Sequence, residues 1–511
     1  MGSRWVLIVK KCNFVKMRCC AGCASCDKIR AMKREEIASR RDVAIFMAFL
    51  SVVVFGSFAA FAFDAQKDRP TPPKSIFGET SAQRDARRAW WTHDRFGMFI
   101  HFGLYSMAAR HEWAQYRERT DPVAYANRYL PRFTPDLFDA RDWARRAKRA
   151  GMKYMVLTAK HHEGFCLWDT RTTDYKITKT PFGRDLVREY VAAARAEGLK
   201  VGLYYSLIDW HHPDFLVDSR HPLRPAKFTD EIYEKLNAGR DWNRYRDYMY
   251  AQVKELLTDY GTIDIIWYDY TVQEKYGKNW KHWESVELMK LTRRLQPGIL
   301  VDSRLDLMDT EDGWDFVTPE QCRVTQWPQV DGKNAPWETC QTFSGSWGYY
   351  RDEETWKSPH QLIELLVNSV AFGGNLILNV GPTGRGAFDY RACDRLDAIG
   401  AWMHANGRAI YGCTAAPAEF KTPVDSLLTY NPETNRLYVH LVNYPMGALP
   451  FDFADKVEYA QFLHDGSELT IRKSAAIQHS QSGDLGRRDN IVLPMKKPNV
   501  EIPVIEIWLR R

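Results

Sequence analysis

Short apolar strands alternate with amphipathic helices from about residue 85 to residue 410, and this alternation predicts an α/β fold with a parallel sheet. Eight such strands over roughly 320 residues point to a (β/α)₈ TIM-like barrel with enlarged loops. After Gly412 the helical pattern stops and short strands follow one another across turn residues, which predicts a C-terminal β-sandwich. The chain therefore divides into a leader with an export signal (1–63), a linker (64–84), the barrel (85–412) and the sandwich (413–511).

The barrel strands are expected at Gly97–His101, Tyr154–Thr158, Val201–Ser206, Ile263–Trp267, Ile299–Asp302, Trp314–Thr318, Glu338–Thr342 and Asn375–Val380. The sixth and seventh are the least strand-like of these. Helical periodicity is clearest over Ala140–Ala150, Arg184–Glu197, Trp242–Tyr260, Trp283–Leu295 and Pro359–Ala371. In the sandwich, strands are expected at Leu427–Tyr430, Leu437–Val442, Tyr459–Leu463, Ile491–Leu493 and Ile502–Leu509, separated by turns such as Asn431-Pro432 and Asp465-Gly466. No repeat and no low-complexity tract is present.

Ahead of the fold, Val43 to Ala62 is a continuous apolar stretch preceded by Lys33, Arg34, Arg40 and Arg41 and ending in Ala60-Phe61-Ala62, a small-residue cleavage pattern. It reads as an export signal, and at about 20 residues it would span a bilayer if retained. That segment is the only membrane contact the sequence offers. Met32 makes a more ordinary signal start, so residues 1–31 read as a mis-called extension. The Pro- and Lys-rich residues 64–80 read as a linker or surface arm.

Composition narrows the function. The net charge of +7 owes much to basic residues in the first 50 positions, ahead of the fold, so it gives no nucleic-acid signal. The 18 Trp, 25 Tyr and 25 Phe suit both a large core and the stacking of apolar sugar faces. Of ten cysteines, Cys12, Cys19, Cys20, Cys23 and Cys26 lie in the leader; Cys166, Cys322, Cys340, Cys393 and Cys413 are scattered and odd in number, which allows one or two bridges but no disulfide framework.

Active sites of such barrels gather at the carboxyl ends of the strands. His101 ends the first strand, with His111, Glu112 and Trp113 in the loop beyond it. Lys160, His161, His162 and Glu163 follow the second strand; Tyr204 and Tyr205 lie on the third; Asp209, Trp210, His211 and His212 come after it. The fourth strand runs into Trp267 and Asp269, which share a face because the strand period is two. Asp302 and Arg304 follow the fifth, Glu320 the sixth, and Glu338 opens the seventh. Carboxylates, imidazoles and one guanidinium on a single rim suit glycoside hydrolysis by a carboxylate pair. They also suit metal-assisted hydrolysis. The second is the poorer fit: His161-His162 and His211-His212 are adjacent pairs, whose side chains diverge on a strand, and neither H-x-H at the first strand nor H-E-x-x-H is present. No cofactor and no metal ligand is assigned.

Several motifs are longer and more specific than this pattern. Phe96-Gly97-Met98-Phe99-Ile100-His101-Phe102-Gly103, Glu112-Trp113, Lys160-His161-His162-Glu163-Gly164-Phe165, Gly202-Leu203-Tyr204-Tyr205-Ser206 and Trp267-Tyr268-Asp269 resemble the α-L-fucosidases of glycoside hydrolase family 29, as do Asn379-Val380-Gly381-Pro382 and Asn406-Gly407. The resemblance runs in order from about residue 85 to the C-terminus. It implies a retaining exo-glycosidase that releases terminal α-linked L-fucose from oligosaccharides or glycoconjugates. Asp269 would be the nucleophile. His101, Glu112, Trp113, His161 and His162 would hydrogen-bond or stack on the sugar, Tyr204 or Tyr205 and Trp267 would flank the nucleophile, and Arg304 would sit beside it. Glu320, in a Thr-Pro-Glu context, would be the acid/base, with Glu338 of Pro336-Trp337-Glu338 its rival and otherwise a substrate contact. The alternatives are an exo-glycosidase for a galactose-type sugar, separated by the C6 pocket, a metal-dependent barrel hydrolase and a silent glycan-binding protein.

Overall fold

The computed structural model describes residues 71–271, 274–473 and 489–510. The apolar stretch Val43 to Ala62 and the leader cysteines lie outside them. Among the described residues no helix is long and apolar enough to cross a membrane.

Parallel strands β1 (Phe96–Ile100), β2 (Tyr154–Lys160), β3 (Lys200–Ser206), β4 (Ile265–Asp269) and β5 (Leu300–Val301) lie side by side. A hairpin of β6 (Gln329–Val330) and β7 (Lys333–Asn334) stands apart from the sheet, and β8 (Glu338–Thr342) and β9 (Asn375–Val380) rejoin it. The order is β5-β4-β3-β2-β1-β9-β8. β2 and β9 are buried at every position, as strands covered on both faces must be, which is why they read as unbroken apolar runs.

The expected sixth strand is not a regular one. Pro319 has no N–H to give a ladder, so residues 315–321 join their neighbours only in places. Asp315 N donates to Val301 O at 2.7 Å, Val317 N to Pro336 O at 3.0 Å and Gln321 N to Cys340 O at 3.0 Å. Parallel bridges pair Asp302 with Phe316 and Glu320 with Cys340. These contacts connect β5 to β8 and close the barrel. Its interior is filled by alternate residues of all eight segments, among them Phe99, Val156, Tyr204, Trp267, Leu300, Phe316, Cys340 and Ile377.

The helices begin where side chains can satisfy their first N–H groups: Asp139 caps Ala140–Arg149, Asp185 caps Leu186–Ala196 and Asp241 caps Trp242–Thr258. Several helices lie outside the stretches where periodicity is clearest, among them Ser81–Asp94, Pro122–Tyr129, Asp230–Asn237 and Tyr390–Asn406. The expected linker is partly anchored: Asp312 accepts hydrogen bonds from Ser75 Oγ (2.6 Å), Ile76 N (2.6 Å) and Phe77 N (2.9 Å). The acidic loop after β5 thus fastens the chain ahead of the first helix.

β10 (Thr414–Ala415), β11 (Ser426–Asn431), β12 (Arg436–Leu441), β13 (Ala448–Pro450), β14 (Val457–Phe462), β15 (Ile471–Arg472), β16 (Asn490–Val492) and β17 (Val504–Leu509) form two antiparallel sheets, ordered β10-β11-β12-β17-β14 and β13-β16-β15. Val439, Ile505 and Ile507 of one sheet and Leu449 and Ile491 of the other share one core, as a sandwich requires. The sandwich docks on the barrel's last helices through Trp402 Nε1 to Ile502 O (2.9 Å) and Thr429 Oγ1 to Ala409 O (2.8 Å).

One buried ion pair lies between the sheet and the helices. Lys160 Nζ donates to Asp209 Oδ2 at 3.1 Å, with the two side chains 0% and 1% exposed, and the ammonium lies over the rings of Tyr205 and Tyr248. Gly164 adopts φ +81° beside it, and a Cβ there would fall 2.1 Å from Asp209 Oδ1, so glycine is required at this point of the His161–Phe165 motif. The Asp209→Ala protein is expected to lose about 3–5 kcal/mol of stability, because the ammonium would be left buried and unpaired. Urea denaturation measures this; a loss under about 1 kcal/mol would mean that the rings alone can hold the charge.

Candidate active site

At the carboxyl end of the barrel is a cavity of about 110 Å³, lined by Phe99, His101, Trp113, His161, His162, Tyr204, Trp267, Asp269, Tyr270, Arg304, Glu320, Cys340 and Trp347. Pockets for drug-sized ligands run to roughly 300–1,000 Å³, so this one is sized for a single ring. Among the described residues, none of the sandwich lines it.

β4 delivers Asp269. Its register with β3 pairs Asp269 with Ser206 and Trp267 with Tyr204, which puts Tyr204 and Trp267 on the inner face. Tyr204 OH donates to Asp269 Oδ2 at 2.7 Å, and Arg304 NH1 donates to Oδ1 at 2.8 Å. Burial, and then the Asp269 carboxylate, push the Tyr204 hydroxyl well above its usual range, so it stays a donor. The Arg304 guanidinium is used on every side: Nε donates to Thr318 Oγ1 (3.0 Å), NH2 donates to Glu320 Oε2 (2.8 Å), and Cζ lies over the Trp267 ring, 4.5 Å from its centroid. The two carboxyls are thus held on neighbouring nitrogens of one guanidinium. Their environments differ. The Asp269 side chain is 13% exposed and that of Glu320 44% exposed.

Three imidazoles complete the wall. A bulge between Thr158 and Lys160 ends the regular pairing of β2, and His161 and His162 beyond it both face the cavity, their ring centroids 4.0 Å apart. The expected divergence of this adjacent pair does not hold past the strand end. Burial lowers the His161 ring to about 3 and carries His101 and His162 well below their ordinary value, so all three are neutral near pH 7. His162 Nδ1 lies 2.8 Å from Ser206 Oγ, whose own proton goes to Ile208 O (2.8 Å). The His162 proton is therefore on Nδ1, and Nε2, 3.9 Å from Asp269 Oδ2, is free to accept from a ligand hydroxyl.

Three expected site residues stand elsewhere. Tyr205 points outward into the helix layer, where its OH donates to Gln252 Oε1 at 2.8 Å; strand alternation sends it opposite to Tyr204. Glu112 does not line the cavity: it is 1% exposed, Oε2 accepts from Gly348 N at 2.8 Å, and burial raises its carboxyl to about 7. Glu338 opens β8 at the far end of the barrel, 0% exposed, where it accepts from Trp91 Nε1 (3.2 Å) and from Tyr154 OH. It is four residues, about 13 Å of strand, below Thr342 at the carboxyl end of β8. Glu320, not Glu338, shares the cavity with Asp269.

Four lining residues went unread in the sequence. Phe99 was within reach, since it precedes His101 by two on one strand face. Cys340 faces inward on β8. Tyr270, directly after Asp269, sits at φ +88°, an unusual conformation that turns the chain at the rim. Trp347 lies in a loop with no periodicity to betray it.

A barrel of this kind with a carboxylate pair and aromatic walls at its carboxyl end defines a glycoside hydrolase. Residues 65–408 match the alpha-L-fucosidase family, and the chain belongs to that family, glycoside hydrolase family 29. An alpha-L-fucosidase of Dictyostelium discoideum is 29% identical over 364 residues, covering 66% of this chain and 74% of its own. The tissue alpha-L-fucosidase of Rattus norvegicus is 31% identical over 356 residues, covering 63% of this chain and 69% of its own. Among solved structures, alpha-L-fucosidase isoenzyme 1 from Paenibacillus thiaminolyticus is 41% identical with a TM-score of 0.76, covering 84% of this chain and 100% of that one. A family 29 enzyme from Bacteroides thetaiotaomicron, solved as a trapped covalent intermediate with 2-fluoro-fucosyl fluoride, is 27% identical with a TM-score of 0.69, covering 87% and 99%.

Proposed function

We propose that this fucosidase releases terminal α-linked L-fucose from fucosylated oligosaccharides or glycoconjugates with retention, using Asp269 as nucleophile and Glu320 as acid/base. The observation that carries the reading is the single guanidinium of Arg304 bonded to both carboxyls at 2.8 Å. Asp269 Oδ2 or Oδ1 attacks C1 as the C1–O bond to the leaving group breaks, and Glu320 gives its proton to the departing oxygen. Glu320 then takes a proton from water, whose oxygen attacks C1 and frees Asp269. His162 Nε2 accepts from the sugar, and the aromatic wall meets the apolar C6 methyl group. Trapping of an intermediate in the Bacteroides relative supports a covalent step in this one.

Incubation with 2-fluoro-fucosyl fluoride followed by peptide mass mapping tests this. One fucosyl label is expected, on the peptide carrying Asp269; a label on another carboxylate, or none with an active enzyme, refutes it. The stretch Val43 to Ala62 is read as an export signal, and mass analysis of the mature N-terminus checks that.

A further inference from the structure

The motif Asn379-Val380-Gly381-Pro382 closes β9, and nothing above gives it a task. Asn379 is 2% exposed and points into the barrel. Both ends of its amide are engaged. Nδ2 donates to Trp347 O at 2.6 Å, and Oδ1 lies 2.6 Å from His101 Nδ1. A carbonyl cannot donate, so the amide has only one workable orientation. Its oxygen cannot donate either, so the proton between Asn379 and His101 belongs to His101 Nδ1. Because burial keeps His101 neutral, that is its only ring proton, and Nε2 is left as an acceptor.

The same amide holds the wall. Trp347 lines the cavity with its ring 5.2 Å from the His101 ring. Its carbonyl is bound by Asn379, and the next amide, Gly348 N, is bound by Glu112. A Cβ on Gly381 would fall 2.7 Å from Trp347 O and from Gly348 C, so only glycine lets this loop lie against the end of β9.

We infer that Asn379 is a positioning residue: one amide fixes His101 as its Nδ1–H tautomer, so that Nε2 accepts a sugar hydroxyl, and sets the Trp347 wall beside it. This rests on the fucosidase reading of the cavity. The titratable groups facing His101 are His161 at the end of β2, Asp269 on β4 and His111 in the loop after β1, with the Tyr204 ring packed beside it; among the described residues only Asn379 bonds its Nδ1.

The Asn379→Asp enzyme, full length, separates this role from plain packing. A carboxylate still accepts from His101 Nδ1 but faces Trp347 O with no proton, and it favours the imidazolium. The His101 pKa rises, so as pH falls through it Nε2 gains a proton and ceases to accept. With 4-nitrophenyl α-L-fucoside, KM is expected to rise about tenfold, the effect of one hydrogen bond, with a step toward acid pH that the wild-type profile lacks. Asn379→Ala should raise KM without that step. A lower melting temperature with KM and pH profile unchanged overturns the inference. Should neither variant fold, ¹⁵N-histidine spectra of the wild type, with His101 assigned through His101→Gln, decide it: a neutral Nε2–H tautomer at His101 overturns it. A wild type that neither turns over the fucoside nor binds L-fucose would refute the fucosidase reading instead, and the tautomer would still be read from the spectrum.

Discussion

The Asp269→Ala enzyme is expected to turn over 4-nitrophenyl α-L-fucoside roughly 10⁴-fold more slowly than the wild type, the scale seen when a group that acts covalently is removed. Asp269 is the carboxylate that Tyr204 and Arg304 jointly hold at the end of β4. No neighbour replaces it, since Glu320 is held on a different nitrogen of Arg304, at the exposed edge. Asp269 is buried and its loss leaves the buried Tyr204 hydroxyl without its acceptor, so a lower melting temperature is expected as well, and the rate is compared on folded protein. Added azide then takes the place of the lost carboxylate and gives β-fucosyl azide, the inverted product, detectable by NMR. A loss of less than about tenfold would remove Asp269 from the nucleophile's role.

The Glu320→Ala enzyme should fail selectively. A general acid contributes on the order of 10²–10⁴ to the rate, and that contribution is needed only when the leaving group is a poor one. Natural fucosyl linkages are expected to lose this factor, while activated aryl fucosides such as the 2,4-dinitrophenyl compound keep most of their first step. Azide should again accelerate turnover, now giving the retained α-fucosyl azide, because Asp269 still forms the intermediate and only the second step lacks its base. Glu338→Ala makes the contrast. Burial raises the Glu338 carboxyl to about 7, and its removal would leave the buried Trp91 N–H without an acceptor, so the expected result is a less stable protein with no leaving-group dependence. If Glu338→Ala shows azide rescue and Glu320→Ala does not, the assignment is reversed.

Much of the barrel was legible because buried parallel strands and capped helices leave opposite signatures, continuous apolar runs against a period of 3.6. Asp269 was legible for a related reason: an acid after Ile-Ile-Trp-Tyr has nowhere to be but the end of a buried strand. The choice between Tyr204 and Tyr205 was not legible, since both are aromatic and the facing of a strand is set by register with its neighbours, here Ser206 opposite Asp269. Glu338 misled for the same reason in another dimension: a strand has two ends, and an acid that opens one lies at the closed side of the barrel. The segment carrying Glu320 reads poorly because Pro319 breaks its ladder. Trp347 comes from a loop whose place is decided by Asn379, Glu112 and Gly381, all distant in sequence.

The shared guanidinium of Arg304 also bears on how charge moves through a catalytic cycle. In the proposed mechanism the first step would take a proton from Glu320 and turn Asp269 into a neutral ester. One negative charge would then cross from the NH1 side of Arg304 to the NH2 side, with the guanidinium that bonds both carboxyls beside it throughout. The arginine would thus be a stationary counterion to a travelling charge, and no side chain would have to swing to follow the reaction forward or back.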